Sequence, residues 1–166
     1  MYAVTAQPGP RLILVSGISG SGKSTAARQI QSEFGGAVVS RDDLRLAMFN
    51  KDFGPPVDED LVSVVEFAAL RASLAKGLLT ISDNTNLIPA GVIDRLNIAA
   101  EFNAETLYYR VDCALDIAKE QNRLRGANGG RFVPPHVIEA QHANFEKHKQ
   151  NVFELVNHYN TNRTVK

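Results

Sequence analysis

The stretch of this chain best equipped for chemistry is a glycine-rich segment at residues 17–25, with the sequence GISGSGKST. It fits the pattern G-x-x-x-x-G-K-[ST] at every fixed position. Its glycines permit backbone angles that side chains would forbid, so successive N–H groups can turn inward as a nest for an anion. In this pattern the lysine reaches the β- and γ-phosphates of a nucleotide, and the serine hydroxyl binds Mg²⁺. We therefore expect a nucleoside triphosphate to be bound by Gly17, Ser19, Gly20, Ser21, Gly22, Lys23, Ser24 and Thr25.

Two aspartates, Asp42 and Asp43, directly follow a short apolar run at residues 37–40. Transfer of a phosphoryl group to a hydroxyl needs a carboxylate that accepts or orients the hydroxyl proton. On spacing alone either aspartate could be this base, and we expect the other to cap the following helix. Arg45 shares a helix face with Asp42. It could hold an anionic acceptor through a forked contact, or it could form a surface ion pair.

Further charged side chains fall at the ends of later elements. Asp83 ends a third apolar run, where it could hold Mg²⁺ through water, fix Arg45 or the Asp42 loop, or help to close a turn.

A basic, glycine-rich segment follows a later helical stretch and has arginines in or beside it. As a mobile lid it would stabilise charge on a transferring phosphate, and the alternative is a solvated helix end. These arginines are Arg123, Arg125 and Arg131.

The elements that must position these groups alternate along the chain. Apolar runs at residues 12–15, 37–40, 78–82 and 106–111 predict buried strands. Between and after them lie stretches typical of helices: 24–34, 41–49, from Asp58 or Asp60 to 76, 89–102, 114–125, 135–148 and 151–159. This alternation predicts an α/β fold with a parallel sheet of four or five strands and helices on both faces. In such a sheet the polar clusters meet at the carboxyl ends of the strands, where ligands bind.

Size and composition narrow the class of protein. A chain of 166 residues, 44% of them hydrophobic, predicts a single domain with a sizeable core. We place this domain at residues 11–160, between flexible tails at 1–10 and 161–166, with the lid at about 121–134. The formal net charge of zero gives no overall basic field. One cysteine predicts an intracellular, cytoplasmic protein, and no apolar run approaches the length of a membrane span.

Four segments together resemble the phage-type polynucleotide 5′-kinase domain. They are the glycine-rich motif, Ser40-Arg41-Asp42-Asp43-Leu44-Arg45, Ile81-Ser82-Asp83-Asn84-Thr85-Asn86-Leu87, and Asn122-Arg123-Leu124-Arg125-Gly126 with Val133-Pro134. The resemblance runs from about residue 11 to about residue 148. It implies a P-loop kinase-like three-layer sandwich that uses ATP and Mg²⁺. It also implies transfer of the γ-phosphate to the 5′-hydroxyl of a DNA or RNA end, in a phage or a cellular setting.

The resemblance also assigns roles within the predicted site. It makes Asp42 the general base and Asp43 structural, and it places Arg45 on the 3′-phosphate of the acceptor, with Arg41 and Asp83 beside it. It gives catalytic roles to Lys23 and to the lid residue Arg125. Gln121 stands where the family carries its first lid arginine, so Arg123 or Arg131 would have to substitute. The chain also lacks a D-x-D-x-T phosphatase motif, which predicts no 3′-phosphatase activity.

Two other classes of function compete with this interpretation. A kinase of the same fold could act on a nucleoside, sugar or antibiotic hydroxyl, and the neutral net charge favours it mildly. A non-catalytic nucleotide switch would need no base for an acceptor, so the aspartate pair and the lid arginines argue against it.

Overall fold

A computed structural model describes residues 9–163. The strands within this part are β1 (Arg11–Ser16), β2 (Ala37–Ser40), β3 (Leu79–Asp83) and β4 (Glu105–Arg110). The helices are α1 (Lys23–Phe34), α2 (Arg41–Phe49), α3 (Pro56–Ala75), α4 (Pro89–Glu101), α5 (Leu115–Ala127) and α6 (Pro135–Asn162). Most of the expected N-terminal tail, residues 1–8, and residues 164–166 lie outside this part of the chain.

The strands form one parallel sheet in the order β2-β3-β1-β4. The central strand β1 aligns Val15 with Asp83 of β3 and with Tyr109 of β4. On the outer side of β3, Ser40 of β2 also aligns with Asp83. The last residues of β1, β2 and β3 therefore lie side by side, and the three loops that follow them start from one edge of the sheet.

Alternating side chains of β1 enter cores on opposite faces of the sheet, as expected for an extended strand. Leu12 and Leu14 pack in a core that includes buried side chains of α3, α4 and α6. Ile13 and Val15 pack on the other face, in a core that includes Ala27 of α1. A third core, which contains Ile18, Leu87, Ala118, Val133, Ile138 and Phe145, joins the glycine-rich segment to α5 and α6. The predicted three-layer α/β sandwich with a parallel sheet of four or five strands is confirmed, and the described residues form four strands.

Helix α6 differs from the sequence-based prediction because it is one continuous helix rather than two. No glycine or proline lies between residues 148 and 151, and the apolar positions keep helical spacing across this stretch. Phe145, Val152 and Val156 are all buried on α6, so one face of the helix continues through it. The predicted C-terminal tail was wrong at Thr161 and Asn162, which belong to this helix.

Two predicted helix caps were also wrong. Helix α3 starts at Pro56, with Pro55 as its N-cap residue and no side-chain cap, so neither Asp58 nor Asp60 caps it. At the start of α2, the Ser40 hydroxyl accepts a hydrogen bond from the Asp43 N–H at 3.3 Å. A serine N-cap satisfies one free N–H of the first turn, so neither aspartate of the pair is needed as a cap. Across residues 9–163, no helix has both the length and the apolar character to cross a membrane.

Candidate active site

The glycine-rich segment, residues 17–25, connects the end of β1 to the start of α1. Gly22 is the N-cap residue of α1 in a left-handed conformation, with φ 94°, which glycine adopts without strain. Gly20 also has a positive φ, and a Cβ there would come within 2.2 Å of the Ala118 carbonyl oxygen. The segment therefore presses directly against the first turn of α5. Its N–H groups lie at a helix N-terminus, which is a favourable place for an anion.

The loop after β3 braces this segment from the side. The Gly17 N–H donates to the Thr85 carbonyl at 3.1 Å, and the Ser16 hydroxyl donates to the same carbonyl at 3.0 Å. The buried Asn86 side chain donates to the Val15 carbonyl at 2.8 Å. Thr85 and Asn86 therefore shape the loop.

Lys23 sits between several charges. Its ammonium donates to the Ile18 carbonyl of the same loop at 2.8 Å. Burial lowers the pKa of Lys23 from 10.5 to about 8, against the opposing effect of the nearby carboxylates Asp83 and Asp42. An anion bound in the loop would favour the charged form of this lysine.

Ser24 of α1 and Asp83 at the end of β3 lie next to each other and line the same cavity. Burial raises the pKa of Asp83 above its usual value, and this contact and the charge of Lys23 act in the opposite direction. A hydroxyl and a carboxylate are the hard oxygen ligands that suit Mg²⁺, which commonly uses one or two protein ligands together with substrate phosphates. Ser24, and Asp83 through water, therefore fit a magnesium ion bound with a nucleotide. Among the described residues Arg45 donates to Asp42 and Glu59, so the alternative in which Asp83 fixes Arg45 is not the arrangement observed.

The two aspartates of α2 point to different places. Asp42 lines a polar cavity at the end of the glycine loop, and its two oxygens accept hydrogen bonds from Arg45, at 2.8 Å, and from Arg131. The Asp43 carboxylate lies outside this cavity and pairs with Arg28 of α1 at 2.6 Å. Of the two carboxylates, only Asp42 faces the glycine loop.

Two arginines of α2 lie beneath this cavity in a dense network of charges. The buried Arg45 donates to the Glu59 carboxylate at 2.5 and 2.8 Å as well as to Asp42, so it is not a surface ion pair. These contacts hold the pKa of Glu59 down at about 2. Arg41 donates to Glu59 at 2.9 Å and to the fully buried Glu66 at 3.2 Å.

The basic segment that the sequence predicts as a lid, at the end of α5 and after it, places Arg125 and Arg131 in the wall of the cavity that contains Asp42. Asn122 is buried and ties the far end of the lid to α5, because its side chain donates to the Val133 carbonyl at 2.8 Å and accepts the Val133 N–H at 2.9 Å. Arg125 donates to Asn122 at 3.0 Å and to the Arg131 carbonyl at 2.7 Å. The Arg131 guanidinium lies over the Phe53 ring, 4.6 Å from its centre, while it pairs with Asp42.

Two adjacent cavities contain most of the predicted site residues. The Gly22 cavity, of about 260 Å³, is lined by Gly20, Gly22, Lys23, Ser24, Thr25, Gln121 and Arg125. The Asp42 cavity, of about 200 Å³, is lined by Ser19, Lys23, Ser24, Arg41, Asp42, Arg45, Asp83, Asn84, Thr85, Arg125, Arg131 and Gln141. Lys23, Ser24 and Arg125 line both cavities. The boundary between the two cavities is therefore where a phosphate held by the loop would meet a group held beside Asp42.

The structure does not bring Arg123 into this arrangement. Its side chain is 61% exposed and pairs with Glu120 one turn earlier on α5. Gln121, which stands where a lid arginine was expected, does line the Gly22 cavity. Sequence reasoning missed Gln141 of α6, whose Oε1 accepts a hydrogen bond from the Ser19 N–H at 2.8 Å. No local signal marks this residue, because it lies 122 positions from its partner.

Two features together define the P-loop kinase-like class. One is a phosphate-binding loop after the central strand of a parallel sheet, and the other is a carboxylate that faces this loop from the neighbouring βα unit. The chain belongs to the family described as an AAA domain, whose pattern matches residues 12–148. No curated protein sequence matches the chain.

Solved structures share the same fold. A chain from the structure of the Pnkp1/Rnl/Hen1 RNA repair complex is similar, with a TM-score of 0.79 and 26% identity, over 91% of this chain and 49% of that one. In a second structure of that complex, the likeness covers 69% of this chain and 40% of the other. This chain thus spans half or less of the length of those two relatives.

Small-molecule kinases are also similar in fold. The APS kinase CysC of Mycobacterium tuberculosis, solved with AMPPNP and APS, has a TM-score of 0.58 and 18% identity, over 75% of each chain. A gluconokinase from Sinorhizobium meliloti 1021 has a TM-score of 0.54 and 19% identity, over 82% of this chain and 75% of its own. At this level of identity the likeness is one of fold alone.

Proposed function

We propose that this protein is an ATP-dependent polynucleotide 5′-hydroxyl kinase. The observation that carries the proposal is the pair of adjoining cavities, one formed by the glycine loop and one by Asp42, with Lys23, Ser24 and Arg125 shared between them. ATP would occupy the Gly22 cavity, with its triphosphate on the loop N–H groups and Mg²⁺ on Ser24. The acceptor hydroxyl would enter the Asp42 cavity.

The proposed reaction is one in-line displacement. The acceptor oxygen bonds to the γ-phosphorus while the bond from that phosphorus to the β–γ bridging oxygen breaks, and ADP leaves. The hydroxyl proton passes to the Asp42 carboxylate as general base. In this structure Arg45 and Arg131 each donate to one oxygen of Asp42, and each oxygen keeps a second lone pair that can accept the hydroxyl proton. Lys23 and Arg125 would then stabilise negative charge on the transferring group.

The charges around the Asp42 cavity support an acceptor that itself carries phosphate. Four guanidinium groups line this cavity, from Arg41, Arg45, Arg125 and Arg131. Arginine binds phosphate well because its planar fork can donate two parallel hydrogen bonds. A polynucleotide 5′ end presents a hydroxyl with a phosphate on the 3′ side of the same sugar. The similarity to a chain of an RNA repair complex adds support from an independent direction.

A kinase acting on a small-molecule alcohol is the second candidate. Two of the four arginines, Arg41 and Arg45, already pair with Glu59, and Arg41 also pairs with Glu66. The cavity is therefore less positive than its arginine content implies. Its volume of about 200 Å³ would also suit a compact acceptor.

Transfer of labelled γ-phosphate from ATP separates these candidates. The acceptors are DNA and RNA oligonucleotides with 5′-hydroxyl ends, nucleoside 3′-monophosphates and free nucleosides. The proposal predicts label on the oligonucleotides. Label on small molecules alone would favour the second candidate, and ATP binding without any transfer would contradict both.

A further inference from the structure

Gln141 is a polar side chain on α6 with no role in the reaction as written above. It lies three residues after Ile138 and four before Phe145, so it shares a helix face with two residues buried in the core beneath the site. Packing of those neighbours fixes the backbone from which Gln141 reaches the glycine loop. Its side chain also lines the Asp42 cavity.

The oxygen and the nitrogen of the Gln141 amide differ in their hydrogen bonding in this structure. Oε1 accepts the Ser19 N–H at 2.8 Å. Among residues 9–163, the structure shows no hydrogen-bond partner for Nε2, which carries two N–H donors. The amide is planar, so anchoring Oε1 also limits the directions in which Nε2 can point. The protein therefore holds a neutral donor at the loop end of the Asp42 cavity.

Ser19 and Gln141 line the Asp42 cavity but not the Gly22 cavity, whereas Lys23 lines both. A triphosphate bound by the loop would thus bring its terminal phosphate, rather than its inner phosphates, towards Gln141. In phosphoryl transfer, negative charge is spread over the three equatorial oxygens of the transferring phosphoryl group. A preorganised donor aimed at these oxygens stabilises the transition state more than the bound substrates.

We propose that Gln141 is a catalytic residue whose Nε2 donates a hydrogen bond to the transferring phosphate, while its Oε1 holds the Ser19 end of the glycine loop in place. The inference rests on the proposed function, because it requires phosphoryl transfer at this site. Gln141 gains and loses no proton in this role. It supplies a fixed dipole without adding charge to a cavity that already holds four arginines.

Two variants separate donation to the phosphate from simple support of the loop. Gln141→Glu keeps an oxygen that can accept the Ser19 N–H, but it removes the donor and adds negative charge. Gln141→Met has a similar length and removes both functions. We expect each variant to lower kcat by about 10²-fold or more, the usual effect of losing a transition-state donor, with the KM for ATP changed by less than about threefold. The measurement is steady-state transfer of labelled phosphate to the acceptor that the wild type uses.

The matched control is Asn144→Asp, the same change from amide to carboxylate at an exposed position one turn further along α6. It should match the wild type in kcat. A Gln141→Glu variant with near-wild-type kcat would overturn the inference, since support of the loop alone would then suffice. A loss confined to the KM of the acceptor would overturn it as well. A wild-type protein that transfers phosphate to no acceptor would overturn the proposed function and this inference with it.

Discussion

At the scale of single residues, the structure separates two aspartates that are adjacent in sequence. Successive residues of a helix point about 100° apart. Asp42 therefore faces the glycine loop, while Asp43 faces α1 and pairs with Arg28. From the sequence, either residue could have been the base, because the pattern fixes the position of the pair but not the direction of each side chain. The partner that decides between them, Arg28, belongs to another helix.

Lys23 gives a prediction about pH. Its pKa in the empty protein is about 8, and a bound triphosphate favours the charged ammonium, so the pKa rises on binding. Between these two pKa values ATP binding takes up a proton. The Kd for ATP should therefore increase above pH 8, by up to about tenfold per pH unit. Calorimetric titration from pH 7 to pH 9.5 measures this.

The control for that titration is Lys23→Arg, because a guanidinium stays charged over the whole range. Its Kd for ATP should be flat with pH, whatever its absolute value. A wild-type Kd that is equally flat, with no proton taken up at pH 8.5, would show that Lys23 is fully charged in the empty protein.

At the scale of elements, the lid depends on one buried side chain. Asn122 of α5 holds Val133 through two hydrogen bonds and accepts a third from Arg125. Asn122→Ala should destabilise the protein by about 1–3 kcal/mol, because the buried backbone groups of Val133 lose their partner. It should also lower kcat, since Arg125 and Arg131 lose their support. Urea unfolding and phosphate transfer measure the two effects.

Arg123→Ala is the control for the lid, since it removes the neighbouring side chain on the exposed side of α5. We expect it to leave the urea midpoint nearly unchanged and to leave transfer within about threefold of the wild type. If Arg123→Ala lowers kcat as much as Asn122→Ala does, Arg123 acts on the nucleotide as the sequence first suggested.

A second element, α3, supports the site from below through Glu66. This carboxylate is fully buried and pairs with Arg95 of α4 at 2.5 Å and with Arg41 of α2 at 3.2 Å. Glu66→Gln should cost about 3–5 kcal/mol, because it leaves buried guanidinium charge without its partner. The exposed pair of Arg71 and Glu101 offers the control, and Glu101→Gln should leave the midpoint of urea unfolding nearly unchanged. Equal midpoints in urea for the two variants would contradict the importance of this network.

At the scale of the whole molecule, local patterns predicted most of the fold. The apolar runs located all four strands to within about a residue, and the glycine motif located the turn after β1. Helix α6 was divided in the prediction although no glycine or proline lies between residues 148 and 151, so its continuity could be predicted from the sequence. The site is different. The loop, Asp42 and Arg45 could be predicted because they are clustered in sequence, whereas Glu66, Asn122 and Gln141 meet their partners only in the folded chain.

The most direct test of the central claim compares Asp42→Asn with Asp43→Asn. With ATP already bound, single-turnover transfer to a 5′-hydroxyl oligonucleotide should fall at least about 10²-fold in Asp42→Asn, while the Kd for ATP stays nearly unchanged. Asp43→Asn, which alters the neighbouring carboxylate outside the cavity, should stay within about threefold of the wild type. Transfer by Asp42→Asn at near the wild-type rate, or a comparable loss in Asp43→Asn, would contradict the claim that Asp42 takes the proton of the acceptor.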